Sequence, residues 1–195
     1  MNSGSVLAES YSPLGLETRS FGVRVLAVVL GTLFLALSSY VEVPMVPVPM
    51  TMQTLAVTLV GALYGWRLGA VTITAWLVEG AAGLPVLSGG AAGYVHFIGY
   101  TGGYLFAFPL AGALVGWLAE RGWNGRRPVL AFAAALLGNL LCLALGGAWL
   151  AAMIGLKAGF ASGVAPFLLG AVLKSVLAAA ALAALTRGRP PEARP

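Results

Sequence analysis

What this 195-residue sequence most lacks is charge: 9% of its residues are charged, against 59% hydrophobic, and there is no aspartate at all. A soluble domain carries about a quarter charged residues. The deficit excludes an ordinary water-exposed globular surface and points to an integral membrane protein. Cysteine is nearly missing as well. The single Cys142 lies in an apolar run, so no intrachain disulfide is available, and the residue reads as a small buried hydrophobe. The one histidine, His96, cannot form a metal site alone. There is no Cys/His cluster, no paired-carboxylate site and no Walker-type loop, so no cofactor is implied and the chain has no recognised means of hydrolysing ATP. Against this background, an ionisable group inside an apolar run is a functional candidate by default.

The apolar runs set the fold expectation. At about 20 residues per spanning helix, the chain has room for six helices and short loops, and none for a soluble catalytic domain. The runs are Val23–Val41, Thr51–Tyr64, Leu68–Gly83, Val95–Ala119, Val129–Ile154 and Gly163–Thr186. Several are short, which suggests tilt, local bilayer thinning or helices ended by Gly and Pro. The expectation is one all-α six-helix domain over residues 23–186, flanked by an N-terminal segment 1–22 and a basic tail 187–195. Residues 1–19 are polar, include Glu9 and Glu17, and do not read as a cleaved signal peptide.

The net charge of +5 invites a nucleic-acid reading, but the positions of the basic residues read as topology signals. Arg19 and Arg24 precede the first run and Arg67 separates the second from the third. Arg121, Arg126 and Arg127 separate the fourth from the fifth, and Arg187, Arg189 and Arg194 follow the sixth. With six crossings all of these lie on one side, and the opposite loops hold only Lys157. The excess of basic residues on the cytoplasmic side of membrane proteins then predicts both termini in the cytoplasm and a multi-pass protein of the inner (cytoplasmic) membrane. Small residues recur at helix-face spacing in Ala27/Gly31, Gly61/Gly65/Gly69, Gly112/Gly116 and Gly155/Gly159/Gly163. Such faces let helices approach closely in lipid, and Ala27/Gly31 is a candidate surface for a partner helix.

Two charges fall inside the apolar runs, Glu79 and Lys174. At 1.5 Å per helical residue both lie roughly 18–20 Å from the cytoplasmic boundary. They read either as a structural ion pair or as a polar site open to the outside, with the ammonium holding an anion and the carboxylate accepting N–H donors. Three Pro/Gly-rich stretches lie on that same side: Glu42–Pro49 leading into Thr51 and Gln53, Gly80–Gly90, and Gly99–Tyr104. Non-helical backbone at membrane depth is tolerated where it lines a cavity or is buried in protein. Tyr94, Tyr100, Tyr104 and Trp76 nearby suggest a small-molecule pocket or an interfacial belt. Thr51 serves equally well as a helix cap, and His96 as an interfacial residue.

The segments Pro47-Val-Pro-Met-Thr-Met-Gln53, Gly61-Ala-Leu-Tyr-Gly-Trp-Arg-Leu-Gly69, Gly83-Leu-Pro-Val86, Thr101-Gly-Gly-Tyr104 and Pro166-Phe…Gly170…Lys174 occur in this order. Together they resemble BioY, the biotin-binding substrate-capture (S) component of energy-coupling-factor (ECF) transporters, over most of residues 25–185. The resemblance implies six helices with an extracytoplasmic vitamin pocket. It also implies a coupling transmembrane protein and two ABC ATPases as partners, although some members are reported to work alone. Lys174 carries over as the residue suited to the biotin carboxylate, and the loop before the second run and the Thr-Gly-Gly-Tyr segment carry over as pocket walls. Two positions depart from the pattern. Ala171 stands where members often have Asp, and Tyr100 replaces the usual Pro. The expectation is that Glu79 supplies the acceptor that the missing Asp would give the ureido ring.

Biotin uptake is therefore the leading reading, with substrate-binding candidates Lys174, Glu79, Thr51, Gln53, Tyr94, His96, Tyr100, Thr101 and Tyr104. The alternatives are capture of another small carboxylated or heterocyclic vitamin, a purely structural membrane protein, and an intramembrane enzyme using Ser88 or Thr101 with His96. The last lacks a nucleophile motif.

Overall fold

In a computed structural model, residues 14–187 are described. Glu9, Arg189, Arg194 and most of the two flanking segments lie outside them. The long helices are α1 (Phe21–Ser39), α2 (Gln53–Ala81), α4 (Gly102–Glu120), α5 (Pro128–Ile154) and α7 (Phe167–Thr186), with short α3 (Val95–Ile98) and α6 (Leu156–Gly163) between them. A two-stranded antiparallel hairpin, β1 (Glu42–Val43) and β2 (Met50–Thr51), pairs Glu42 with Thr51. Among the described residues, five helical segments are long and apolar enough to cross a membrane: α1, α2, α4, α5 and Leu156–Thr186, which joins α6 to α7.

The second and third apolar runs form one helical element, α2, broken at Gly65, whose φ of 80° and ψ of 170° no helix contains. The break reverses the chain. A Cβ on Gly69 would lie 3.1 Å from the Gly61 Cα, whereas eight residues of straight helix span about 12 Å. Only a residue without a side chain adopts this φ easily. The new helical half is capped by Glu120, whose Oε1 accepts the Trp66 N–H at 3.0 Å. Gly116 lets α4 close on the reversal, since a Cβ there would meet the Trp66 nitrogen at 2.6 Å.

The fourth run also differs from expectation. Its helix begins at Gly102, and Gly99–Thr101 interrupt it after the single turn of α3. A Cβ on Gly102 would sit 2.0 Å from the Phe97 carbonyl oxygen, so the turn folds back onto the helix start. The sixth run begins at Phe167, because α6 ends at Gly163 and Pro166 follows.

Contacts put the described arginines at one end of the bundle. The Tyr64 hydroxyl, beside the Gly65 reversal, donates to the Ala27 carbonyl at 2.8 Å, near Arg24. Gly116 and Glu120 hold the reversal next to Arg121, and Gly125 abuts Leu182 and Thr186, near Arg187. The hairpin and the Gly80–Gly90 stretch lie at the other end. Most of the small-residue positions pack inside the chain, Gly155 being an exception with open space around it. Gly31 packs against Thr72 and Tyr64, so the Ala27/Gly31 surface expected to receive a partner helix is filled from within by α2.

Gly61 and Gly112 bring α2 and α4 into close backbone contact. A Cβ on Gly61 would stand 2.3 Å from the Gly112 carbonyl oxygen, a contact with backbone that cannot move aside. Helix association in lipid depends on such close packing. Gly61→Val is expected to destabilise the protein by about 3 kcal/mol, the upper end for overpacking, read as a lowered melting temperature and a reduced monodisperse fraction in detergent.

Candidate functional site

Between the hairpin, the start of α2, α4, α5 and α7 lies a cavity of about 300 Å³, the size at which small-molecule sites begin. Its wall is mostly apolar, with Val48, Leu87, Leu105, Phe108, Leu143 and Phe167 among the lining residues. Trp76 stacks on Phe108 from behind, with ring centroids 5.9 Å apart. The polar groups that interrupt this wall are few, so each has consequences.

Lys174 is one of them. One face of α7 buries Phe167, Ala171, Ser175 and Ala178, and Lys174 lies beside that face. Its Nζ donates to the Thr51 carbonyl at 2.6 Å and to the Thr54 hydroxyl at 3.1 Å. Both partners are neutral. The ion pair with Glu79 considered from the sequence does not form: Glu79 lies on the flank of the α2 face that buries Thr72, Ile73, Trp76 and Gly80, and is not part of the cavity wall.

Thr51 and Gln53 sit where the hairpin enters α2. The Thr51 hydroxyl accepts the Gln53 backbone N–H at 3.3 Å and donates to Gln53 Oε1 at 2.9 Å. Thr51, one residue before the Met52 cap, thus accepts the first helical N–H of α2 and orients a cavity-lining amide. His96, Thr101 and Tyr104 also line the cavity. The Thr101 hydroxyl donates to the His96 backbone carbonyl at 3.1 Å, an arrangement that orders the turn and activates no nucleophile. The Tyr104 hydroxyl reaches the Gly163 carbonyl at 2.6 Å, fastening α4 to the end of α6. Tyr94 and Tyr100 do not join the site, being 72% and 48% exposed and outside its wall. They sit in the Gly-rich segments around α3, whose turns aim them outward.

Residues not singled out as ligand contacts from the sequence complete the wall: Glu42, Thr54, Ser88 and Asn139. Asn139 carried a usable signal, being the one carboxamide within the run Val129–Ile154. Glu42 carried none, since only the hairpin register, opposite Thr51, brings it to the cavity. Its carboxylate accepts a short hydrogen bond from the Ser88 hydroxyl. The surrounding loop is fixed to the ends of α1 and α2. The Ser39 hydroxyl shares its proton between the Ala36 carbonyl at 2.6 Å and the Leu87 carbonyl at 2.9 Å, Tyr40 donates to Pro85 at 2.5 Å and Trp76 Nε1 to Val86 at 2.9 Å. Chemically, the site offers one cation, one latched carboxylate, two amides and hydroxyls in a greasy enclosure. It suits a small, partly apolar molecule with an anionic end and a polar head.

Glu42 and Ser88 are expected to be coupled. A hydrogen bond to a charged group contributes about 1.5–3 kcal/mol. Thermal unfolding of Glu42→Ala, Ser88→Ala and the double variant should give a coupling energy of about 1 kcal/mol or more. Strict additivity would show the latch to be energetically idle.

The family model described as BioY family matches residues 12–190. A probable biotin transporter BioY of Pyrococcus horikoshii is 36% identical over 149 residues, covering 75% of this chain and 87% of that protein. Biotin transporter BioY2 of Lactococcus lactis subsp. cremoris is 33% identical over 167 residues, covering 83% and 87% respectively. In three dimensions the chain is similar to the crystal structure of the S-component for biotin from an ECF-type ABC transporter, with a TM-score of 0.77, 23% identity, and 88% of this chain and 96% of that one covered. That structural likeness speaks to the fold.

Proposed function

This chain belongs to the BioY family, and from that premise we propose that it takes up biotin, as the membrane-embedded binding component of an ECF-type transporter and not as an enzyme. The observation that carries this reading is the Lys174 ammonium, half-buried in an apolar cavity with only neutral oxygens as partners. A buried cation stabilised by dipoles alone is incompletely compensated. The carboxylate of a small acid completes it, and the apolar wall accepts the rest of the molecule.

In this reading Lys174 binds the biotin carboxylate. Thr51, Gln53, His96, Thr101 and Tyr104 contact the ligand, joined by Glu42, Thr54 and Asn139. Glu79, Tyr94 and Tyr100 stand outside the wall and are given no contact. Six crossings, with residues 23–186 as the membrane domain, are supported by the reversal at Gly65, which makes two antiparallel segments of α2. The gathering of the described arginines at one end supports a cytoplasmic placement of that end in the inner membrane, and a cavity facing outward. Turnover then calls for a coupling transmembrane protein and two ABC ATPases, since the sequence has no nucleotide site of its own.

Lys174→Ala is expected to weaken biotin binding by about 2–5 kcal/mol, the range for truncating one partner of a buried hydrogen-bonded charge pair, and to leave binding of biotin amide, which carries no carboxylate charge, nearly unchanged. Isothermal titration of detergent-purified protein measures both. Equal losses for the two ligands would mean that Lys174 acts on the fold and not on the carboxylate.

A further inference from the structure

The α3 turn carries part of the cavity wall and has little of its own to stand on. His96 sits within it and Thr101 follows it, and both line the cavity. Yet none of its four residues is buried, and Tyr94, Val95 and Ile98 are exposed. A single helical turn does not persist by itself. The chain enters it through Gly93, which has a φ of 96° and open space where a side chain would stand. On the entry side the tie is the Gly93 N–H, which donates to the Gly80 carbonyl at 2.8 Å. On the exit side another helix reaches the turn through Trp149 of α5, which is exposed on the bundle surface and is not part of the cavity wall. Its Nε1 donates to the carbonyl of Gly99, the residue that ends α3, at 3.0 Å. The indole also lies against the start of α4. A Cβ on Gly103 would meet Trp149 Cβ at 2.2 Å, and one on Gly102 would meet its Cε2 at 3.3 Å. Phe106 packs on the indole with ring centroids 5.9 Å apart, and Phe97 of α3 packs on Phe106 at the same separation. Trp149 thus holds the turn by its backbone and, through Phe106, by the Phe97 ring.

We propose that Trp149 is a positioning residue for ligand capture: it fastens the α3 turn from the outside of the bundle and so keeps His96 and Thr101 in the cavity wall. The proposal rests on the biotin reading and concerns what holds the wall, not which part of the ligand meets it. Without the Trp149 bond the turn spends part of its time off the wall, and affinity falls with the binding-competent fraction. Because the turn buries none of its own residues, little else offsets the loss. One hydrogen bond shifts such a balance about 3–10-fold. Trp149→Phe keeps a ring against Phe106 and removes the N–H donor, so it isolates this bond.

The test uses the full chain in detergent, with equilibrium titration of biotin and hydrogen exchange of the ligand-free protein as readouts. Trp149→Phe should weaken biotin about 3–10-fold and speed exchange in residues 94–101, with the long helices unchanged. Made on His96→Ala/Thr101→Val, which strips the turn of its cavity-lining side chains, the same substitution should cost less than about twofold, because nothing is left to position. An unchanged biotin affinity in Trp149→Phe, or the same loss on both backgrounds, would overturn the positioning role. So would faster exchange spread over α4 and α5, which would make Trp149 a packing residue of the bundle. Each of those outcomes leaves biotin capture by the wild-type protein intact. A wild-type protein that binds no biotin overturns the uptake reading, and this proposal with it.

Discussion

The contact on which the site depends is the Lys174 ammonium held between the Thr51 carbonyl and the Thr54 hydroxyl. It ties the last long helix to the point where the hairpin becomes α2, across 123 residues of sequence. It shares that work with Met50, which packs beside Gly170 of α7, and with buried Val48; β1 and β2 are only two residues each, and so short a ribbon is not stable alone. The same contact leaves a positive charge on the wall of an apolar cavity with dipoles for company. In a low-dielectric setting that charge is a strong attractor for an anion. Structure and proposed ligand recognition thus share one side chain.

The helices can gather round this cavity because glycines let their backbones touch at the opposite end. Gly61 on Gly112, and Gly116 on the Gly65 reversal, bring α2 and α4 together near the arginines. Apolar residues such as Val115, Leu118, Ala134 and Leu182 fill the rest of that end. At the loop end the larger aromatics Trp76, Tyr104, Phe108 and Phe167 hold the helices apart, and space remains.

Most of this architecture was legible in the sequence, and the parts that were not have physical causes. Low charge, apolar runs and arginine placement announce a helical membrane protein because insertion energetics act residue by residue. Lys174, Thr51, Gln53, His96, Thr101 and Tyr104 were identifiable as polar groups in apolar or Gly/Pro-rich settings, and they do converge on the cavity. Glu79 looked equivalent to Lys174 by depth alone. Depth fixes the height of a residue on a helix, whereas its angle depends on which face of α2 packs on α1 and α4, and that is a tertiary outcome. Glu42 failed to stand out for the opposite reason: its place depends on strand register between two dipeptides. Tyr94 and Tyr100 were drawn in by proximity in sequence, but the turns at Gly93 and Gly99 around α3 aim them outward.

The central claim is that this cavity holds biotin with its carboxylate on Lys174. It is tested most directly by an experimental structure of the wild-type chain purified in saturating biotin. The expected result is one biotin in the cavity with a carboxylate oxygen within hydrogen-bonding distance, roughly 2.7–3.2 Å, of Lys174 Nζ. A cavity left empty under saturating biotin, or a bound molecule whose carboxylate points away from Lys174, would contradict it.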